Sequence, residues 1–137
     1  MAAELAKDKG RKQKVSSITF DFETKNHWQD YETLSKEIKN LTKGGEISVL
    51  VNNAEQLDPK GIKFHKLTDQ QVLNTLSVNT FPMVFLTRFL GPTMKERKQK
   101  SAIINVTNLN FPLVNAPIYS SARRFEDVFS QTLGYEN

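Results

Sequence analysis

The chain has 137 residues, enough for one domain with a buried core, and 38% hydrophobic with 25% charged residues is typical of a globular protein. It contains no cysteine, which excludes disulfides, thiolate zinc sites and thiol catalysis, and its two histidines, His27 and His65, share no metal-ligand spacing. The net charge of +4 is concentrated in basic runs at residues 7–14 and 95–100. These runs lack interleaved aromatic residues, so we interpret them as solvated faces, and nucleic acid is not expected as a partner.

The first half of the chain predicts strand, helix, strand. Residues 15–22 alternate apolar and polar side chains, which predicts a strand with Asp21 near its exit. Residues 26–42 carry apolar side chains at spacings of three and four, so they predict a helix, with Asn26 and Gln29 approximating its capping box. Residues 47–52 are nearly all apolar, which is typical of a parallel strand buried on both faces.

The second half predicts helix, strand, helix. A helix is expected from about Thr68, capped by Gln71, to about Leu90, where Gly91 and Pro92 end it. Residues 102–107 predict a buried strand, and residues 119–133 a third helix. The predicted inner faces are Val72, Leu73, Leu76, Val84, Phe85 and Phe89 in the second helix, and Ala122, Phe125, Phe129 and Leu133 in the third.

This alternation of strands and helices predicts an α/β fold with a parallel sheet, whose strand carboxyl ends bind ligands. Asp21 and the run from Asn52 to Ala54 lie at such ends. Tyr119 and Arg123 are four residues apart and project from one helix face. A cation beside a phenol favours proton transfer, although this pair by itself also fits a tyrosine at the core edge followed by a solvated arginine.

Five segments in this order resemble the short-chain dehydrogenase/reductases, and more narrowly the hydroxysteroid dehydrogenases and very-long-chain 3-oxoacyl-CoA reductases: ITFDF, ISVLVNNA, SVNTFPMVFLTRFLGPTM, SAIINVTN and IYSSARRFEDVFSQTL. The resemblance implies a partial Rossmann-like, doubly wound parallel sheet. It implies that residues 1–137 form a single incomplete domain, without the family's first βαβ unit and C-terminal strands. It also implies a cytoplasmic or endoplasmic-reticulum-associated location, and the chain shows neither a signal peptide nor a stretch of about 20 apolar residues.

The same resemblance assigns roles to individual residues. Asp21 is similar to the aspartate that contacts the adenine ring of NAD or NADP, and Asn53 and Ala54 resemble residues that line the cofactor groove. Asn79 matches the asparagine that holds a water in the proton relay. Tyr119 matches the general acid that protonates the substrate carbonyl as the nicotinamide delivers hydride.

Several residues depart from the family pattern. Arg123 stands where the family has lysine, the serine position falls on Asn108 or alternatively Thr107, and Glu55 replaces a glycine. The six glycines of the chain form no glycine-rich phosphate-binding turn.

We therefore expect an oxidoreductase relative that acts on a small ketone or acyl substrate but is not competent as this chain alone. The alternatives are a non-catalytic binding or scaffolding subunit, in a homodimer or beside an intact homologue, and an unrelated nucleic-acid or anionic-surface binder that uses residues 95–100.

Overall fold

The computed structural model describes residues 15–42, 46–108 and 112–136. Within these ranges the elements are α1 (Trp28–Leu41), β1 (Val49–Asn52), a 3-10 turn (Phe64–Lys66), α2 (Asp69–Lys95), β2 (Ala102–Asn105) and α3 (Pro117–Gly134). Strands β1 and β2 pair in parallel, with Val49 opposite Ala102 and Asn52 opposite Asn105. The predicted α/β class with a parallel sheet is confirmed. None of the helices in the described ranges is long and apolar enough to cross a bilayer.

The strand predicted at residues 15–22 is wrong, because no strand forms there. A strand needs a neighbour to satisfy its backbone, and the sheet in the described ranges consists of β1 and β2 alone. Aromatic packing holds the segment instead. The rings of Phe20 and Phe22 lie 5.5 and 6.2 Å from the ring of Tyr31, measured between centroids.

The prediction that the central strand is buried on both faces is also wrong. Leu50 packs with Ile103 against the core cluster of Ile47, Leu90 and Met94. On the opposite face Val49 and Val51 are 50% and 53% exposed, because successive strand residues point to opposite sides. One face of the two-stranded sheet therefore lies on the helices, and the other face carries exposed valines.

Helix α1 forms nearly where the sequence predicts it, but its cap is shifted by one residue. The N–H of His27 donates to the carboxylate of Asp30 (3.1 Å), so this pair replaces the expected Asn26 and Gln29. Asp30 serves better because a carboxylate near a helix N-terminus also complements the helix dipole. In the apolar stripe Tyr31 and Leu34 are buried, whereas Trp28 at the helix start is half exposed.

Helix α2 begins with the predicted reciprocal cap, in which Thr68 and Gln71 each accept from the other's backbone N–H (3.2 and 2.9 Å). Its predicted end at Leu90 is wrong, since the helix continues to Lys95. Pro92 removes one backbone donor but still accepts from the N–H of Glu96 (3.1 Å). Burial of Met94 beside Leu90 accompanies the extra turn.

The predicted inner faces of α2 and α3 are wrong for several residues. Leu73 and Leu76 are 42% and 41% exposed, and Phe125 is 44% exposed. The buried faces are instead rich in small and polar side chains, which are Thr75, Ser77, Val78, Asn79, Pro82, Met83 and Thr87 in α2 and Ile118, Tyr119, Ala122, Arg123 and Glu126 in α3. Small side chains allow close helix approach, and the buried charges need polar partners there.

Replacing Tyr31 with phenylalanine should stabilise the chain. The Tyr31 side chain is fully buried, and within the described residues its hydroxyl has no hydrogen-bond partner. Tyr31→Phe removes this unsatisfied group, so we expect the free energy of unfolding to rise by about 1 kcal/mol in urea denaturation. Tyr135→Phe is the control, because Tyr135 is 88% exposed and its change should be neutral. A loss of stability in Tyr31→Phe alone would contradict the prediction.

Candidate active site

Asp58 fixes the start of α3 and with it the position of Tyr119. The helix begins after Ala116, which has no side-chain acceptor for the first amides. The buried carboxylate of Asp58 accepts from the N–H groups of Ile118 (3.2 Å) and Tyr119 (2.9 Å). It thereby satisfies two free amides at the positive end of the helix dipole. Sequence reasoning missed Asp58, although a helix start without a local cap indicates that an acceptor must come from elsewhere.

The guanidinium of Arg123 joins four parts of the chain. Its Nη1 donates to the carboxylate of Glu126 (2.6 Å) and to the carbonyl of Val106 after β2 (3.3 Å). Its Nη2 donates to Asn79 Oδ1 on α2 (2.9 Å) and to Glu55 Oε2 after β1 (3.2 Å). The Arg123 side chain is only 5% exposed. A buried cation requires such a set of acceptors, because water no longer solvates it.

Asn79 attaches the segment after β1 to helix α2. Its Nδ2 donates to the carbonyls of Gln56 (2.7 Å) and Thr75 (2.6 Å). Its Oδ1 accepts from the Gln56 N–H (3.1 Å) as well as from Arg123. These four bonds use the full capacity of a side-chain amide. In this structure Asn79 therefore orders Arg123 and the loop after β1.

Tyr119 packs against Arg123 and points its hydroxyl at Glu55. The guanidinium carbon lies 4.8 Å from the centre of the phenol ring, within the range of a cation–π contact. The hydroxyl donates to Glu55 Oε2 (3.1 Å). The structure thus brings Tyr119, Arg123 and Asn79 together and adds the carboxylate of Glu55 to them.

The remaining candidate residues are Thr107, Asn108, Asn53, Ala54 and Asp21, and Thr107 contacts Arg123 directly. Asn108 is exposed, and the Thr107 hydroxyl donates to the Arg123 carbonyl (3.2 Å). Asn53 is exposed and Ala54 half-buried. Asp21 is exposed and caps its own turn. Hydrogen bonds from the Thr24 hydroxyl (2.8 Å) and the Glu23 N–H (2.9 Å) to the Asp21 carboxylate lower the pKa of Asp21 below its ordinary value.

Two acidic residues that sequence reasoning did not single out support the site. Glu126 lies one turn after Arg123, a helical spacing that could have indicated the ion pair. Glu23 accepts from the side chains of Gln56 (2.8 Å) and Asn74 (3.0 Å), which ties the segment before α1 to the loop after β1. No local signal in the sequence indicates the contacts of Glu23, because its partners lie 33 and 51 residues away.

The second basic run is partly used within the fold. Arg97 has a side chain that is only 7% exposed and pairs with the carboxylate of Glu46 (3.1 Å). It also donates to the carbonyl of Lys100 (3.3 Å) and the hydroxyl of Ser101 (3.2 Å). This guanidinium therefore orders the connection from α2 to β2.

Replacing Glu126 with glutamine should change how stability depends on pH. Burial raises the pKa of Glu126 above its ordinary 4.5, against the opposing effect of Arg123. The folded state then holds a proton that the unfolded state has lost, so stability from this group is complete below pH 4.5 and declines as pH rises through the folded pKa. We expect the difference in unfolding free energy, wild type minus Glu126→Gln, to fall with pH by up to about 1.4 kcal/mol per unit.

The measurement is urea denaturation of both proteins at a series of pH values from 4 to 8. Asp127→Asn is the control, because Asp127 lies next to Glu126 and pairs loosely with the exposed Arg124 (3.7 Å). A difference between wild type and Glu126→Gln that stays constant over this range would contradict the prediction.

Comparison with known sequences gives a family match over the whole chain. The family model for short chain dehydrogenases matches residues 1–137. The very-long-chain 3-oxoacyl-CoA reductase of Bos taurus is 32% identical over 126 residues, which cover 88% of this chain and 40% of that protein. The enzyme of the same name from Phaeosphaeria nodorum is 26% identical over 99% of this chain and 39% of its own length. The chain thus spans about two fifths of the length of these relatives.

Solved structures agree in fold. A 3-oxoacyl-[acyl-carrier protein] reductase from Brucella melitensis superimposes with a TM-score of 0.79 at 20% identity, over 98% of this chain and 54% of that one. A metagenomic short-chain oxidoreductase in complex with NADP gives 0.76 at 20% identity, over 88% and 52%. These neighbours establish a Rossmann-like fold. The match of the family model to residues 1–137 shows that the chain belongs to the short-chain dehydrogenase family.

Proposed function

We propose that this chain provides the carbonyl-binding, proton-donating part of an NAD(P)-linked reductase and does not turn over by itself. One observation carries the proposal: the hydroxyl of Tyr119, ordered by Arg123 and Asn79, donates to an oxygen on the exposed side of the site. The names of the curated relatives support a 3-oxoacyl group or a related ketone as the substrate class.

In this proposal the Tyr119 hydroxyl donates a hydrogen bond to the carbonyl oxygen of the substrate. The phenol polarises the C=O bond, and in a reduction its proton passes to the oxygen as the carbon is reduced, which gives an alcohol. Asp58 positions the Tyr119 backbone, and the Arg123 guanidinium beside the ring supplies fixed positive charge where negative charge develops on oxygen. The Tyr119 side chain is held in place before a ligand binds, because this residue is buried and only 4% exposed.

The described residues do not fit a complete nicotinamide cofactor. Arg123 is engaged by Glu126 and Asn79, so it is not free to hold ribose hydroxyls as a lysine would. Glu55 places a carboxylate beside Tyr119, where it repels an anionic dinucleotide. Residues 1–137 also contain no glycine-rich turn for the pyrophosphate. When bound, a nicotinamide supplies hydride, and we expect the groups that bind it to lie outside this site.

Replacing Tyr119 with phenylalanine should weaken carbonyl binding. We expect Tyr119→Phe to bind a short 3-oxoacyl thioester about 5-fold more weakly, since one hydrogen bond worth about 1 kcal/mol is lost. NMR titration of the purified chain measures the dissociation constant, and Tyr135→Phe serves as the matched control because Tyr135 is exposed.

Equal binding by Tyr119→Phe and wild type would contradict the role of the hydroxyl. Turnover is followed in parallel through loss of the absorbance of NADH or NADPH. We expect no turnover by the chain alone, and oxidation of either cofactor that depends on Tyr119 would overturn that part of the proposal.

The second candidate is a non-catalytic binding subunit, and exposed apolar side chains favour it. Leu73 and Leu76 on α2 and Phe125 and Val128 on α3 are 41–58% exposed. Exposed apolar patches often mark sites of protein–protein interaction. The candidate partners are a second copy of this chain and an intact homologue.

The binding-subunit candidate predicts that association depends on α3. We expect Val128→Glu to convert an associating chain into a monomer in sedimentation velocity, because a charge at an apolar interface loses its solvation. Val114→Glu is the control, since Val114 is 89% exposed in a loop. A monomeric wild type that also fails to capture an intact 3-oxoacyl-CoA reductase would contradict this candidate.

A further inference from the structure

Two buried donors of the candidate site converge on a single oxygen atom. Tyr119 Oη lies 3.1 Å and Arg123 Nη2 lies 3.2 Å from Oε2 of Glu55. We infer that Tyr119 and Arg123 form a carboxylate-binding site, and that Glu55 is a built-in occupant that a carboxylate-bearing ligand displaces. The inference deepens the proposed function by naming a ligand class for the same hydroxyl, and it rests on that proposal.

The two donors are buried and the acceptor is exposed to solvent. The side chain of Arg123 is 5% exposed, whereas that of Glu55 is 60% exposed. Arg123 keeps its bonds to Glu126, Asn79 and Val106 if Glu55 moves away. The exposed Glu55 carboxylate is solvated by water when it leaves, and Arg123 keeps three other acceptors, so release of Glu55 costs little.

The charge of the site favours an anion over a neutral ketone. Arginine remains protonated throughout the pH range of proteins, and its donors match carboxylate oxygens. Once Glu55 leaves, the guanidinium and the Tyr119 hydroxyl present two donors to one oxygen anion.

A monocarboxylate fits these groups better than a phosphate does. Glu55 itself shows that one carboxylate oxygen can accept from both donors. A phosphate brings about twice the charge close to Glu126 and Asp58, which lie beside Arg123 and Tyr119. The ligand class is therefore a short carboxylic or oxo acid.

The test removes the occupant and measures binding of butyrate by NMR titration. We expect Glu55→Ala to bind butyrate at least 10-fold more tightly than wild type, with shifts at Tyr119. Glu46→Ala is the matched control, because Glu46 is also an exposed carboxylate (62%) paired with a nearly buried arginine, Arg97 (7%). Equal affinities of Glu55→Ala and Glu46→Ala would overturn the inference.

Further binding measurements test the ligand class and the proposed function independently. In the Glu55→Ala background, adding Tyr119→Phe should cost several-fold in butyrate affinity, and this change leaves the bonds of Arg123 within the fold intact. Unchanged affinity, or inorganic phosphate binding more tightly than butyrate, would overturn the assignment.

The neutral ketone 2-pentanone should bind Glu55→Ala more weakly than butyrate does. If butyrate binds as expected while the 3-oxoacyl thioester fails to bind, the carboxylate site stands and the proposed function fails.

Discussion

The buried charge of Arg123 is the constraint on which this fold depends. Its guanidinium holds the loop after β1, helix α2, the end of β2 and helix α3 together through hydrogen bonds of 2.6–3.3 Å. Removing one partner of such a buried pair typically costs about 3–5 kcal/mol, because the remaining charge loses its compensation. The same side chain therefore stabilises the meeting point of four elements and supplies the cation of the candidate site.

This constraint also accounts for the unusual faces of α2 and α3. Asn79 on α2 and Glu126 on α3 must face Arg123, so the sides of these helices that meet carry polar and small residues. The large apolar side chains of Leu76 and Val128 are then left at the surface. The sides of α2 and α3 that meet are therefore polar enough to supply acceptors to a buried cation.

Glu55 connects the architecture to function. Its carboxylate accepts hydrogen bonds from both Tyr119 and Arg123, the two groups to which we assign the binding of a carbonyl ligand. The Glu55 side chain places both negative charge and bulk beside the Tyr119 hydroxyl. Access to the Tyr119 hydroxyl is therefore linked to the position of one exposed carboxylate, and the neighbouring cation, Arg123, is already bonded to Glu126 within the fold.

The sequence by itself determined the order of elements from helix α1 onward and the family, because these follow from local periodicity and from motifs that match a known pattern. It also singled out Tyr119, Arg123 and Asn79, which the structure brings together. It also determined the cap of α2, since Thr68 and Gln71 are close in the chain. Only the tertiary structure decided that residues 15–22 form no strand, that Asp58 caps α3 from 60 residues away, and that Glu55 meets Tyr119. These outcomes depend on partners distant in sequence, and neither hydrophobic periodicity nor local propensity encodes such partners.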